Sequence, residues 1–355
     1  MRPMRRPLAL GIETSCDDTA GALVDADGRV LASVVSSQLA AHRPYGGVVP
    51  EIASREHLRA WPAVSAEAFA RAGVGLADVD LVAATKGPGL IGSLLVGLSI
   101  GQTTAWARGL PFHGVHHLEG HLYSPFLRLA GEAAEAMPER FVGLVVSGGH
   151  TSLFGVDGGR VERLAETRDD AIGEAFDKLG KRLGLPYPQG PRVDELSELG
   201  DPVAAPLSVA AAGRELFFSY SGLKTQTLVA LARLAGAGVR IEADPGEEPP
   251  LPAPVLDLLA GFRAAAVGQL LDRLGRLHRR EPIPLLAVSG GVAANRLLRR
   301  ELPPWCEARG IALRLVPLPF CGDNAAMIAW AAQQRHARGE ADDPLAAAAA
   351  SRLAL

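Results

Sequence analysis

Two histidines, His117 and His121, stand four residues apart in the segment GVHHLEGHLYSPFL, residues 114–127. On a helix this spacing brings both imidazoles to one face, where they can bind the same metal ion. A zinc protease of the H-E-x-x-H type needs its general base directly after the first histidine, whereas here Glu119 follows two residues later. At about 100° per residue, Glu119 is rotated roughly 200° from His117 and points away from an ion held by the pair. The spacing therefore favours a metal site and argues against a metalloprotease.

A third metal ligand is available in the segment PFCGDNAAMIAWAA, where Asp323 and Asn324 precede an alanine-rich, helical run. Two imidazoles and a carboxylate with open positions suit either iron or zinc. Each feature also has a simpler interpretation, because paired histidines can be satisfied by hydrogen bonds and an aspartate before a helix can be an N-cap. The residue types alone leave both interpretations open.

The composition is that of an ordinary globular protein. The chain of 355 residues is 48% hydrophobic and 21% charged, which is enough for a large core and for two lobes. Its net charge of -3 does not indicate a nucleic-acid partner, so a basic binding surface must be local or supplied by another protein. Three widely spaced cysteines argue against a disulfide framework. The apolar run near the start is too short for a signal peptide, and no segment reaches roughly 18 apolar residues, so we expect a cytoplasmic protein.

Two segments share a plan of strand, polar turn, strand, glycine turn and strand. They cover residues 8–35 and 141–165 and predict an internally duplicated α/β protein. Small and hydroxyl residues in the first turn of each segment leave backbone N–H groups free to bind phosphate, although a tight hairpin would also need glycine there. A third unit, residues 285–302, predicts a strand, a glycine turn and a helix whose N-terminus faces an anionic ligand. The expected ligand is a phosphate or nucleotide held between two similar lobes.

Small residues recur at every fourth position in the predicted helix after the loop TKGPGL. They are Ser93, Gly97, Gly101 and Ala105. Glycine inside a helix costs about 1 kcal/mol relative to alanine, so this stripe calls for a packing reason. Either it accepts a helix of another protein or it packs on the chain's own sheet.

Together, these motifs resemble the TsaD family, long called the glycoprotease family, which makes threonylcarbamoyladenosine in tRNA. The resemblance spans nearly the whole chain in nine ordered blocks. The blocks are GIETSCDDT at 11–19, YGGVVPEIASREH at 45–57, GPGLIGSLLVG at 87–97, HHLEGH at 116–121, VVSGGHT at 145–151, GEAFDK at 173–178, SGLKT at 221–225, SGGVAANR at 289–296 and CGDNAAMIA at 321–329.

The resemblance implies a two-lobed α/β fold of the actin, heat-shock protein and sugar-kinase type, built on a duplicated RNase H-like sheet. It places the N-terminal lobe at residues 1–140 and the C-terminal lobe at residues 141–355. The helix after about residue 325 is expected to pack back on the N-terminal lobe. Residues 235–254, rich in proline, glycine and acidic residues, are expected to form an exposed loop.

The resemblance also implies two sets of site residues. The metal ligands are His117, His121 and Asp323, and the ion is Fe²⁺ in the first place, with Zn²⁺ as the alternative. The residues around the substrate adenylate are Val145, Val146, Ser147, Gly148, Gly149, Asp177, Gly190, Asp194 and Asn295. The sequence departs from the family pattern at Gln189, where the family usually has glycine, and in the motif C-G-D-N-A, usually written C-T-D-N-G.

The implied reaction passes the L-threonylcarbamoyl unit of threonylcarbamoyl-AMP to N6 of the adenosine at position 37 of tRNA and releases AMP. Asp17 and Asp18, in the first polar turn, are candidates for orienting the amine or taking its proton, although they can equally cap backbone amides. An alternative is a non-catalytic, ATP-dependent switch of the same fold that recruits partners. Such a switch has no need of a metal triad.

The resemblance names two protein partners besides tRNA. Bacterial members pair with a paralogue, TsaB, through helices of the N-terminal lobe, and they need the ATPase TsaE. For this reason the small-residue stripe is expected to take part in pairing. The net charge of -3 agrees with a tRNA-binding surface that a partner completes.

Overall fold

The computed structural model describes residues 7–133, 135–209 and 215–355. The strands in these ranges are β1 (Leu8–Glu13), β2 (Asp18–Asp25), β3 (Val30–Ser37), β4 (Leu81–Gly87), β5 (Phe112–His116), β6 (Arg140–Val146), β7 (Thr151–Asp157), β8 (Arg160–Glu166), β9 (Leu285–Ser289) and β10 (Ala312–Leu315). The α-helices are α1 (Leu39–His42), α2 (Pro50–Ala72), α3 (Ile91–Arg108), α4 (His117–Tyr123), α5 (Ile172–Arg182), α6 (Gln189–Leu196), α7 (Ser221–Gly236), α8 (Ala253–Arg280), α9 (Arg296–Glu307) and α10 (Ala325–Ala337).

The chain divides into two compact units. The first unit contains the chain up to Glu139, the short segment Gly158–Arg160 and the C-terminal segment Val316–Leu355. The second unit contains Arg140–Asp157 and Val161–Leu315. The first unit thus ends near the boundary drawn at residue 140 and takes up the chain again from Val316, ahead of α10.

Each unit contains a five-stranded sheet, and the two sheets have the same strand order. The order is β3-β2-β1-β4-β5 in the first unit and β8-β7-β6-β9-β10 in the second. β1 is antiparallel to β2 and parallel to β4, just as β6 is antiparallel to β7 and parallel to β9. The predicted duplication is confirmed, including the strand, turn and helix of the third unit, β9 to α9.

The central strand of the first sheet is buried on both faces because helices cover both. On one face Ile12 lies near α3, and on the other Gly11 lies against the first turn of α10. A Cβ atom at Gly11 would stand 2.2 Å from the carbonyl oxygen of Ala325, so only glycine permits this approach. The close packing holds the start of α10, and Asp323 just before it, against β1.

The small-residue stripe of α3 faces the chain's own sheet. All four residues of the stripe are buried. A Cβ atom at Gly97 would lie 2.3 Å from Oγ1 of Thr14, and one at Gly101 would lie 3.0 Å from Cβ of Ala84. The small side chains therefore let α3 approach β1 and β4, and the interpretation of the stripe as an intermolecular contact is wrong.

The outward face of α3 carries large apolar side chains instead. Ile91, Leu95 and Trp106 are 49%, 50% and 64% exposed. These three exposed, large apolar residues are called the apolar α3 face.

The long helix α8 is largely buried in the second unit. In the described ranges, α8 is the one helix long and apolar enough to cross a membrane, and 72% of its apolar window is buried inside the fold. Length and composition alone give weak evidence for a span, and this degree of burial is that of a core helix.

Residues between α7 and α8 form neither helix nor strand and are mostly exposed. Arg240 pairs with Asp244 at 2.9 Å within this segment. The apolar side chains of Ile241 and Leu251 are buried and anchor its ends.

Candidate functional site

His117 and His121 lie on α4, which begins directly after β5. β5 is buried along its whole length, and its last residue, His116, caps the helix by accepting a hydrogen bond from the N–H of Leu118 at 3.1 Å. His117 and His121 then fall on the same face of α4, with their ring centroids 4.8 Å apart and their planes at 88°. Both side chains are buried, so the helix presents two imidazoles at a site largely closed to solvent.

Asp323 joins the two histidines from the segment before α10. The N-cap of α10 is the neighbouring Asn324, which accepts a hydrogen bond from the N–H of Met327 at 3.0 Å. Asp323 is thereby free to face the histidines: its Oδ1 lies 3.2 Å from Nε2 of His121 and 3.5 Å from Nε2 of His117. The simpler interpretation of Asp323 as an ordinary N-cap does not hold.

The spacing of these ligand atoms fits a metal ion. One ligand atom from each of the three residues lies within 4.8 Å of the others. Bonds of about 2.0–2.2 Å from nitrogen and oxygen place neighbouring ligand atoms roughly 3.0–3.5 Å apart around one ion. The two distances from Oδ1 of Asp323, 3.5 Å to Nε2 of His117 and 3.2 Å to Nε2 of His121, lie in this range. Two neutral imidazoles and one carboxylate leave further positions open for water or substrate, as catalytic sites require.

Glu119 lies outside this cluster. The charges that act on its carboxyl group come from Arg335, Arg338, Glu340 and Lys86, none of which is a proposed ligand. Burial raises the pKa of Glu119. The structure agrees with the helical geometry that sets this residue apart from the metal face.

A residue that the motif analysis did not single out, Glu13, contacts the site from β1. Its side chain is 1% exposed, and its Oε2 lies 3.1 Å from Nδ1 of His117. A signal was present, because a glutamate directly after the apolar run LALGI ends a buried strand and needs a partner there. The sequence does not say which partner.

The charges of the cluster are strongly linked. Burial works against ionisation of every member, yet the carboxylates of Asp323 and Glu13 raise the pKa of His117 well above its ordinary value. In the same way, His117 keeps the pKa of Glu13 low despite burial, and the two histidines keep that of Asp323 well below its usual range. The site is therefore set up to hold two carboxylates around a positive charge.

Asp17 is the last residue of the turn between β1 and β2, and Asp18 is the first residue of β2, in the same unit as the histidines. The carbonyl oxygen of Asp17 accepts a hydrogen bond from the N–H of Gln38 at 3.0 Å. Burial, above all, raises the pKa of Asp18 to about 6, and the charges of Asp17, Asp323 and Glu13 add to this increase. One carboxylate oxygen of Asp18, Oδ1, is buried without a hydrogen-bond partner in the described structure. Asp18 is thus close enough to the histidine cluster to sense its charge.

The predicted adenylate turn follows β6 in the second unit. Val145 and Val146, the last residues of the strand, are fully buried. The N–H of Ser147 donates to the carbonyl of His150 at 2.8 Å, which closes the turn. A Cβ atom at Gly148 or Gly149 would meet nothing within 4 Å, so the fold itself does not require glycine at these positions. Open space over two glycines leaves room for a ligand to approach the backbone.

Asp177 and Gly190, two of the other predicted adenylate residues, are joined by a hydrogen bond. The N–H of Gly190 donates to Oδ1 of Asp177 at 2.7 Å, and the N–H of Gln189 also donates to this carboxylate. Burial nevertheless raises the pKa of Asp177. Asp177 therefore caps the start of α6, and the buried Gln189, at the departure from the family pattern, is part of that helix.

Asp194 and Asn295 are bonded to each other across 101 residues of sequence. Nδ2 of Asn295 donates to Oδ1 of Asp194 at 2.7 Å, while Oδ1 of Asn295 accepts from the N–H of Leu298 at 3.0 Å. Asp194 also accepts from Arg263 and from the N–H of Arg296, at 3.2 and 3.1 Å. The structure brings the two residues together and engages their side chains in contacts within the chain.

Comparison with known proteins gives a family match over most of the chain. The model described as TsaD, tRNA N6-adenosine threonylcarbamoyltransferase, matches residues 29–330. A relative with that enzyme name from Sorangium cellulosum strain So ce56 is 48% identical over 343 residues, covering 94% of this chain and 93% of the relative. A relative with the same name from Pelobacter propionicus strain DSM 2379 is 49% identical over 325 residues, covering 91% and 90%.

A solved structure, that of HypF from T. kodakarensis, is similar in fold. Its TM-score is 0.60 at 14% sequence identity, and the match covers 94% of this chain and 48% of the HypF chain. At this identity the likeness concerns the fold alone. Together with the duplicated sheets, it confirms the predicted α/β fold of the actin, heat-shock protein and sugar-kinase type.

Proposed function

The chain belongs to the TsaD family of tRNA N6-adenosine threonylcarbamoyltransferases, and on this premise we propose which of its residues carry out the reaction. The enzyme attaches the L-threonylcarbamoyl group to N6 of the adenosine at position 37 of tRNA, in the synthesis of threonylcarbamoyladenosine. Relatives with this activity match the chain over more than nine-tenths of its length. Transfer is therefore favoured over a non-catalytic, ATP-dependent switch of the same fold.

The proposed donor is threonylcarbamoyl-AMP, bound through its adenylate at the turn after β6. Gly148 and Gly149 leave the backbone open for phosphate or ribose, as the absence of any contact to an added Cβ atom supports. Asp177, Gly190, Asp194 and Asn295 form the adjoining nucleoside site. Since the side chains of Asp194 and Asn295 bond each other, their contribution is to fix the shape of this site.

The proposed cofactor is one divalent metal ion, with Fe²⁺ favoured and Zn²⁺ as the alternative. His117 and His121 would bind it through Nε2 and Asp323 through its carboxylate, and the convergence of these atoms is the observation that carries the proposal. When bound, such an ion acts as a Lewis acid that polarises substrate oxygens and stabilises a leaving adenylate.

The proposed acceptor for the proton of the attacking amine lies at the start of β2. The N6 nitrogen forms a bond to the carbamoyl carbon, the bond from that carbon to the phosphate oxygen breaks, and AMP leaves with the electron pair. N6 must lose a proton in this exchange, and Asp18 is the proposed acceptor, with Asp17 orienting the amine. A carboxylate with a pKa of about 6 is ionised at neutral pH and is a stronger base than an ordinary aspartate.

The proposed protein partners are the paralogue TsaB and the ATPase TsaE. The apolar α3 face is the surface assigned to TsaB, because exposed apolar and aromatic side chains on one helix mark protein interfaces. A partner can also supply basic residues for the tRNA phosphates, since this chain has a net charge of -3. Action on tRNA supports the proposal that the protein is cytoplasmic.

An assay with defined substrates tests this function. The chain is incubated with threonylcarbamoyl-AMP and unmodified tRNA, with and without TsaB and TsaE, and the tRNA is digested for nucleoside analysis. A matched tRNA with guanosine at position 37 is the control. Threonylcarbamoyladenosine in the first tRNA alone, with one AMP released per modified nucleoside, supports the proposal. Turnover of added ATP by the chain without TsaE, together with no modified nucleoside in any mixture, would instead support the switch.

A further inference from the structure

Glu13 lies directly behind the proposed metal ligand His117. We propose that Glu13 is a positioning residue that holds His117 in its metal-binding orientation and supplies the second negative charge of the metal centre. The inference rests on the proposed metal site and adds to it a determinant of metal affinity that is not itself a ligand.

The contact between Glu13 and His117 selects which ring nitrogen can bind the ion. Oε2 of Glu13 lies 3.1 Å from Nδ1 of His117, so Nδ1–H donates to the carboxylate. Nε2 of the same ring lies 3.5 Å from Oδ1 of Asp323, on the side where the ligand atoms converge. A histidine that binds metal through one nitrogen usually donates from the other to a carboxylate, carbonyl or water, which fixes the ring and makes it a better ligand.

Glu13 is itself held in one position by a side chain of β4 and by the turn that follows β1. Oγ1 of Thr85, on β4, donates to Oε2 at 2.6 Å, and the backbone N–H of Ser15 donates to Oε1 at 2.5 Å. Glu13 and Thr85 are each 1% exposed. Because both carboxylate oxygens are engaged, the side chain cannot turn away from His117 without breaking a buried hydrogen bond.

The charge of Glu13 completes the balance of a buried divalent site. Asp323 and Glu13 together carry two negative charges, and neutral groups, Thr85 and Ser15, make the other hydrogen bonds to Glu13. Burying a carboxylate is costly without a compensating positive charge, which a divalent ion held by His117 and Asp323 would supply. The two imidazoles also differ, since Nδ1 of His121 is buried without a partner in the described ranges.

Metal affinity measured on the full chain tests this role. The Zn²⁺ dissociation constants of wild type, Glu13→Gln and Glu13→Ala are determined at one fixed pH by competition with a chelator of known affinity. Glutamine keeps an oxygen that can accept from Nδ1–H but loses the charge, and we expect about 10- to 100-fold weaker binding. Alanine loses both and should bind more weakly still. Thr85→Val, which removes one donor to Glu13, should weaken binding by a smaller factor.

A matched control separates positioning from general stability. The carboxylate of Asp80 accepts a hydrogen bond from the N–H of Leu8 at 2.8 Å. Leu8 is the first residue of β1, at the opposite end of the strand from Glu13. Asp80→Asn should retain wild-type Zn²⁺ affinity. The absorption bands of bound Co²⁺ should shift in Glu13→Gln and stay in place in Asp80→Asn, because only the first alters the ligand field through His117.

Two results would overturn the inference in different ways. Wild-type Zn²⁺ affinity and unchanged Co²⁺ bands in a folded Glu13→Gln protein would remove Glu13 from the metal centre and leave the site itself standing. Absence of stoichiometric Zn²⁺ binding by the wild type would overturn the metal site and this inference together. If Glu13→Ala fails to fold, Glu13→Gln and Thr85→Val still decide the outcome.

Discussion

Nε2 of His121 and Oδ1 of Asp323 lie 3.2 Å apart, although 202 residues separate them in the chain. The contact depends on the return of the C-terminal segment to the first unit, where α10 packs on β1. Neither segment can form the cluster alone. The relationship ties the proposed metal site to the tertiary fold of this unit.

His121→Ala should abolish stoichiometric metal binding. The variant loses one of three protein ligands, and the remaining imidazole and carboxylate hold an ion far more weakly. His121 is fully buried, so a modest loss of stability is also expected, of about 1–3 kcal/mol. Elemental analysis of purified protein, with circular dichroism to verify the fold, checks both points.

Glu119→Gln is the matched control on the same helix. The charged residues that act on its side chain are not proposed metal ligands. Metal content and transfer should therefore stay near the wild-type level. A loss of metal comparable to that in His121→Ala would place Glu119 in the site and contradict the helical geometry.

Gly149→Val should weaken binding of an adenylate by at least about tenfold, or about 1.4 kcal/mol. The added side chain fills the space over the turn where the adenylate is proposed to contact the protein backbone. A Cβ atom at this position meets no protein atom within 4 Å. Gly268→Val, also in open space but on α8, is the control and should bind as wild type does. Calorimetric titration with a non-hydrolysable analogue measures the difference; equal affinity in both variants would argue against this turn as the adenylate site.

Asp18→Asn should stabilise the protein more at pH 7.5 than at pH 4. Burial raises the pKa of Asp18 to about 6, above its value of about 3.9 in an unfolded chain. The folded wild type therefore binds the proton of Asp18 more tightly than the unfolded chain does. The contribution of Asp18 to wild-type stability is fully present below about pH 4 and is lost as pH rises through about 6. Asparagine removes the cost of burying the ionised group. Thermal unfolding of both proteins across this range measures the effect, and a gain in stability that is larger at pH 4 would contradict the raised pKa.

Leu95→Arg should prevent pairing with TsaB while leaving the fold and the metal site unchanged. Leu95 is half-exposed on the apolar α3 face, where a charge costs the free chain little and a buried interface much. Leu129→Arg, at another exposed apolar residue of the first unit, is the control and should pair normally. Size-exclusion chromatography with the paralogue distinguishes them; undiminished pairing by Leu95→Arg would place the interface elsewhere.

Gly97→Leu should destabilise the chain itself. Its Cβ atom would meet Oγ1 of Thr14 at 2.3 Å, and overpacking of this kind costs about 1–3 kcal/mol or more. Chemical denaturation of the isolated chain measures the loss. An unchanged midpoint would mean that α3 is not packed against β1 as described.

Local patterns in the sequence predicted the elements that carry the site. The spacing of His117 and His121 depends only on helical periodicity, and the turns after β1 and β6 follow from strand and glycine signals. The duplicated sheet could be predicted because the same succession of strands and turns occurs twice. These features are encoded within a few tens of residues.

Contacts between distant segments could not be predicted in the same way. The stripe of small residues on α3 has the same four-residue spacing whether it packs on a sheet or on another protein, so only the structure decides. Glu13 and His117 are 104 residues apart, and Asp194 and Asn295 are 101 apart. A carboxylate at the end of an apolar strand indicates that a partner is needed, but the identity of the partner depends on which strands and helices become neighbours.

The transfer reaction of an Asp323→Asn variant tests the central claim most directly. Wild type and variant, each with the same partners, Fe²⁺, tRNA and threonylcarbamoyl-AMP, are compared in a single turnover, and threonylcarbamoyladenosine is quantified in the digested tRNA. Asparagine keeps the size of the side chain but removes the charge that faces both imidazoles at 3.2 and 3.5 Å. We predict modified nucleoside from the wild type and at least about a hundredfold slower formation by the variant, in proportion to its lost metal. Equal rates in the two proteins would contradict the assignment of the chemistry to this site.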